Sequence, residues 1–265
     1  MIRRFTADLK KYRNYISYSG IADLKAEVAG SYLSSLWWVI EPFCFMLIYT
    51  AVFGIVFGAK EQYFPAFVFI GITMWNFFNH MCTYSVKAVK TNKRIISKTY
   101  MPKFVLILSK MFSNGVKMLI SFAIVIIMVI VYRISPTPIM FMCIPVLLIM
   151  MLFTFGICEL LLHFGVYITD LHKAIGIILK MVFYLTGVFY DIEKRIGSAF
   201  GERAAMLLSK LNPMAFSLTS IREALLYGEM PDLTWMLIWL AGGLILSVIG
   251  TVLIYKNENS YIKVI

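Results

Sequence analysis

Glu159 and His163 stand four residues apart inside a long apolar run, and Lys180 follows on the far side of a short polar turn. Four residues is one helical turn, so the carboxylate and the imidazole share a face. Counted from Thr169, Glu159 is ten positions back and Lys180 eleven forward. At a rise of about 1.5 Å per residue they would sit at similar depth in antiparallel neighbours. A lone charge in such a run costs a few kcal/mol by insertion scales, which favours pairing or a wet cavity. The spacing therefore predicts a Glu159–Lys180 pair that fixes a helix hairpin, with His163 able to join it. The competing arrangement has Lys180 snorkelling to the interface while Glu159 lines a channel alone.

Other reactive constellations are missing. No G-x-x-x-x-G-K-[ST] phosphate loop occurs, so ATP has no recognisable site in this chain. His80, His163 and His172 lack ligand spacing, and His80 reads as part of a helix contact rather than a metal ligand. No Ser-His-Asp or G-x-S-x-G arrangement suggests a hydrolase. Cys44, Cys82, Cys143 and Cys158 all lie in apolar runs, where they act as small hydrophobes without a disulfide framework. No enzyme, metal or cofactor is expected. Function must lie in passage across a membrane or in partners.

The elements that position these residues are membrane helices. The 265 residues are 60% hydrophobic and 15% charged, with a mean hydropathy of +0.81. A water-soluble chain of this length would expose too much apolar surface. A spanning helix needs roughly 20 mainly apolar residues. Six stretches qualify or nearly so, at about 34–58, 63–84, 105–132, 139–164, 174–190 and 233–255, the fifth being short. The net charge of +11 reflects loop placement rather than nucleic-acid binding. Arg3, Arg4, Lys10, Lys11, Arg13 and Lys25 precede the first stretch, and Lys87, Lys90, Lys93, Arg94, Lys98 and Lys103 link the second to the third. The alternate links offer only Lys60 and Arg133. Both termini are thus expected on the cytoplasmic side. Residues 1–28 lack an unbroken apolar core, so no cleavable signal peptide is expected.

Residues 1–30 place Phe5, Leu9, Tyr12 and Ile16 at helical spacing among basic residues, as in an amphipathic helix lying in the membrane surface. Trp37 and Trp38 then mark the interface. The Glu41-Pro42 step reads either as a helix-start device or as a carboxylate facing the inside of an assembly. Residues 191–232 hold two short amphipathic pieces, Phe200–Leu211 and Met214–Tyr227, parted by Asn212-Pro213. Each is too short to span and is expected to be re-entrant on the outer side. The chain reads as one all-α membrane domain over 1–265, with helices one to five in 34–190, the external region in 191–232 and the last helix in 233–255.

Four stretches in order resemble one family. Gly30-Ser-Tyr-Leu-Ser-Ser-Leu-Trp-Trp-Val-Ile-Glu-Pro-Phe43, followed by Met46-Leu-Ile-Tyr-Thr-Ala-Val-Phe-Gly-Ile-Val-Phe-Gly58, is similar to the first-helix region of ABC-2 type polysaccharide exporter permeases. Tyr167-Ile-Thr-Asp-Leu171 looks like the family's cytoplasmic turn, and Leu179–Tyr190 like its fifth helix. Asn212-Pro213-Met214 with Ser220-Ile-Arg-Glu-Ala-Leu-Leu226 resembles its motif before the last helix. Three positions depart: Glu41 stands for Asn, Ser34 for Gly, and Thr169 for Arg. The Arg loss puts a salt bridge at Asp170 in doubt, and no role is carried to Glu41.

The resemblance implies a homodimeric permease in the bacterial plasma (inner) membrane, exporting a lipid-linked polysaccharide such as O-antigen or teichoic acid. A separate ABC ATPase subunit would bind ATP and Mg and drive it. Tyr49, Phe53, Phe57, Trp75, Phe77 and Phe78 are expected to offer ring faces to sugars, although such aromatics also face lipid or pack. Lys93, Arg94, Ile95, Ile96 and Lys98 are expected in a short helix that docks on the ATPase, where lysines also meet anionic lipid. Asn212, Pro213 and Arg222 are expected to narrow the outer exit. The alternative is a secondary transporter or channel without an ATPase, against which no pair of broken helices recurs in the two halves.

Overall fold

The computed structural model describes residues 2–30, 32–56, 58 and 61–264. Every regular element among them is helical. Helix α1 (Ile2–Val28) presents Phe5, Tyr12, Tyr15 and Ile16 to the protein core, with the Phe5 ring tilted against Phe104 at 4.9 Å. Leu9 remains exposed. The expected amphipathic helix is there, and its apolar stripe packs on protein.

Helix α2 (Trp37–Tyr49) follows a tight turn at Ser34–Leu36 and continues as a widened helical segment over Thr50–Val56. Pro42 lies five residues inside α2 and is buried, which corrects its placement in the first turn. It removes the amide that would bond the Trp38 carbonyl. Helix α3 (Phe64–Thr91) starts with Pro65, whose missing amide costs nothing there, and carries most of the buried core. A four-residue helix α4 (Lys93–Ile96) and Pro102 lead to α5 (Phe104–Val131). Helix α6 (Cys143–Tyr167) turns at Thr169–Asp170 into α7 (Leu171–Leu185).

The connection from α7 to the last helix is built from α8 (Ile192–Phe200), α9 (Glu202–Leu211) and α10 (Pro213–Arg222), before α11 (Leu233–Val264). Caps explain the boundaries. Asp191, Asn212 and Asp232 each accept two backbone amides at the start of α8, α10 and α11. Asp232 also pairs with Lys210 at 2.7 Å, tying α9 to the last helix.

Four segments are long and apolar enough to cross a membrane: Trp37–Gly54, Phe104–Val131, Pro138–Tyr167 and Leu233–Tyr261. Helix α3 is long, but Asn76, Asn79 and His80 dilute its apolar run. Helix α7, at 15 residues, reaches about 22 Å, short of a bilayer core of about 30 Å. The fifth expected stretch, 174–190, is helical only to Leu185; Gly187 at φ +67° ends it.

Helices α6 and α11 pack most closely. A Cβ on Gly156 would come within 2.7 Å of the Leu246 side chain, and one on Gly250 within 2.5 Å of the Glu159 Cβ. Small residues at such positions let helix backbones approach in a membrane protein.

Candidate functional site

Two polar stripes face each other across α3 and α5. On α3 they are Thr73, Asn76, His80, Thr83, Lys87 and Thr91; on α5, Lys110, Asn114, Lys117 and Ser121. Steps of three and four residues keep each set on one helix face. Trp38, Glu41 and Pro42 of α2 and Glu27 of α1 close a cavity of about 290 Å³ over the stripes. A groove of about 430 Å³ shares Glu27, His80, Asn114 and Lys117 with it and runs on to Thr91. Trp38 and Glu41, at the start of α2, thus lie beside residues midway along α3 and α5. Toward the basic ends of α3 and α5 the groove is bordered by Glu27 of α1 and by no residue of α2.

Two of the groove's lysines, Lys110 and Lys117, are paired with carboxylates of α1. Lys117 meets Glu27 at 2.7 Å, and Lys110 lies 3.5 Å from Asp23 and 3.6 Å from Glu27. Burial pushes the Glu27 carboxyl up, but Lys117 and Lys110 together hold it below the usual carboxylate range. Amides, hydroxyls and paired charges, with the rings of Trp38 and Phe77 beside them, suit a ligand rich in hydroxyl groups. This groove was not foreseen from the sequence. Its signal was there, as polar residues at helical spacing inside two apolar helices.

The expected aromatics divide. Tyr49 at the end of α2 and Phe53 in the widened segment after it both meet Phe189, at 4.3 Å and 4.8 Å. Phe189 contacts Phe183, which contacts Trp75, which contacts Phe78. Trp75, Phe77 and Phe78 are buried, and only Phe77 lines the polar cavity. Phe78 instead borders an apolar cleft beside Leu207, Leu211 and Pro213. Phe57 lies outside the described residues.

The expected short helix in the basic link is α4. Ile95 is 44% exposed and Ile96 only 5%, so Ile95 alone of the two presents an apolar side chain outward. Lys93, Arg94 and Lys98 are exposed beside it.

At the other end of the bundle, Asn212 caps α10 and donates to the Thr186 hydroxyl at 3.1 Å, with Pro213 as the first helical residue. Arg222 is buried among backbone carbonyls. It donates to Phe67 O at 3.0 and 3.2 Å, Gly187 O at 2.9 Å and Val188 O at 2.8 Å, and its guanidinium stacks on the Phe67 ring. It bolts α10 to the start of α3 and the end of α7 and does not face an opening.

Glu159 and Lys180 do not pair. Glu159 is fully buried and accepts from the Thr251 hydroxyl at 2.8 and 3.1 Å, while Lys180 is exposed. His163 does share the Glu159 face, as the spacing required, and bonds the Tyr261 hydroxyl at 2.7 Å. That face meets α11, drawn in by Gly156 and Gly250, so depth matching with α7 had no bearing on it.

No protein-family model matches the chain. Among curated proteins, it is 25% identical over 244 residues to an O-antigen export system permease protein RfbA of Klebsiella pneumoniae, covering 92% of each chain. It is 27% identical over 229 residues to the RfbA permease of Myxococcus xanthus, covering 86% of each.

Proposed function

We propose that this chain, a multi-pass membrane permease resembling the ABC-2 polysaccharide exporters, exports a lipid-linked glycan under the drive of a separate ATPase. The observation that carries the reading is the polar groove of α3 and α5, because hydroxyl-rich cargo needs hydrogen-bonding partners inside an otherwise apolar bundle. Likeness to O-antigen export permeases over nine-tenths of the chain supports it.

In this reading the bundle end that carries Lys87–Lys103 is cytoplasmic, and so are both termini. The helices α2, α3, α5, α6, α7 and α11 make six crossings of a bacterial inner membrane, with α7 completed by the turn after Leu185. Helices α9 and α10 fold back into the outer leaflet. Two copies of the permease pair, and the glycan, an O-antigen or teichoic acid, leaves between them past Tyr49, Phe53 and Phe57. ATP and Mg are held by the partner, which docks on α4 and the exposed face of α1.

Copurification tests the partner. A tagged chain drawn from its native membrane should bring down an ABC ATPase, and cysteine at Ile95 should crosslink to it while cysteine at Ile96 should not. A chain that purifies alone and still transports would favour the secondary transporter instead.

A further inference from the structure

Beyond the groove, a second cleft of about 390 Å³ lies where α3 ends beside the α6–α7 turn. Lys87, Lys90 and Thr91 line it from α3, and Thr169 and His172 from the turn and α7. Its floor is fixed by a close backbone approach, since a Cβ on Gly165 would run into the backbone of Val86. Among the described residues no carboxylate lines this cleft. The nearest one in sequence, Asp170, points to solvent and pairs with Lys173 at 3.8 Å. This contrasts with the neighbouring groove, where Asp23 and Glu27 neutralise Lys110 and Lys117.

From this contrast we propose that the cleft is a binding site for a phosphate ester, taking the phosphate of a lipid headgroup or a free phosphate anion. Two ammonium groups supply charge, and two threonine hydroxyls and an imidazole supply donors to the non-ester oxygens. Asp170 makes no side-chain cap on α7, so the first amides of that helix add to the same field without being needed to define the site. Lys87 also lines the polar groove. A phosphate held here would therefore share Lys87 and Thr91 with the region that suits hydroxyl-rich cargo. The inference concerns binding alone and stands whether or not the chain is an exporter.

Binding to the purified full-length chain in neutral detergent tests it. The probes are dihexanoyl phosphatidic acid, inorganic phosphate and, as an uncharged control, dihexanoyl glycerol. Phosphatidic acid should bind saturably and the diacylglycerol should not. Lys87→Gln with Lys90→Gln should weaken binding about tenfold or more, in line with loss of charge-assisted hydrogen bonds. Lys93→Gln with Arg94→Gln, on the same basic link, should leave it unchanged. Comparable binding of inorganic phosphate would assign the free anion as ligand, and its absence would assign the lipid ester. His172→Gln, which keeps a polar side chain in the first turn of α7, should weaken binding less than the lysine pair. Equal loss in both double variants would mean diffuse attraction to basic charge and would overturn the site. So would no saturable binding of either phosphate probe to a chain whose thermal unfolding matches the unsubstituted protein.

Discussion

Arg4 and Glu258 meet at 2.7 Å across 254 positions of chain. The Tyr100 hydroxyl accepts from Arg4 at 2.6 Å and donates to Glu258 at 2.8 Å, so α1, the basic link and α11 share one junction. Arg4 also lies over the Tyr255 ring, and the Tyr255 hydroxyl donates to Asp8 at 2.7 Å. The Arg4 side chain is half exposed, so a double-mutant cycle of Arg4→Gln and Glu258→Gln should give a coupling of about 1 kcal/mol or less. Thermal unfolding in detergent measures it. A coupling of several kcal/mol would mean the junction is far drier than its exposure indicates.

The Glu27–Lys117 contact should be sensitive to acid. The Glu27 carboxyl is held below its ordinary value of 4.5, burial being outweighed by Lys117 and Lys110. A lowered folded-state value means stability that is present in full above the ordinary value and is lost as pH falls through the lowered one. Exchange protection of the last turns of α1, taken relative to the intrinsic rate at each pH, should fall over that acid window, and Lys117→Met should loosen α1 already at neutral pH. Protection that stays constant as pH falls well below 4.5, in a chain that remains folded, would contradict the pairing.

Glu159 serves the α6–α11 contact. Glu159→Gln keeps an acceptor for Thr251 and should be tolerated, whereas Thr251→Val strands a buried carboxyl at a cost of about 1–3 kcal/mol. Gly250→Ala adds a methyl within 2.5 Å of the Glu159 Cβ and should cost a further ~1–3 kcal/mol by overpacking. Substituting Lys180 should leave thermal stability unchanged. If Lys180→Met were as damaging as Thr251→Val, the hairpin pair would be restored as the better account.

Arg222 holds three carbonyls from two separate segments. Arg222→Met leaves Phe67, Gly187 and Val188 without that donor, at about 1–3 kcal/mol for each group left unpaired. Arg222→Lys should recover only part of the loss, because an ammonium lacks the planar fork that reaches all three. Yield of folded protein in detergent and its unfolding midpoint report this, and full recovery by lysine would argue against the fork.

The all-helical, multi-pass character was legible because apolar helices announce themselves by length and composition, and four of the six expected stretches meet that test. The polar break at Asn212-Pro213 and the short helix in the basic link were visible for the same kind of local reason, a proline and a change in composition. Helix pairing was not legible. Glu159 and His163 were correctly put on one face, but the choice of α11 over α7 depends on Gly156 and Gly250, whose role appears only when two backbones meet. Asn76, Asn114 and Lys117 were passed over because each alone looks like a tolerated polar residue, and only the crossing of α3 with α5 makes them one groove.

The central claim is ATP-driven export of a glycan through this bundle. Proteoliposomes holding the chain with its copurified ATPase, loaded with a lipid-linked glycan on the ATPase-facing leaflet, measure it directly. Lectin binding at the opposite leaflet should rise only when ATP is supplied, and Asn76→Leu with Asn114→Leu should abolish the rise while ATPase subunits remain bound. Lectin signal that appears at the same rate without ATP, or that is untouched by closing the groove, would contradict the account.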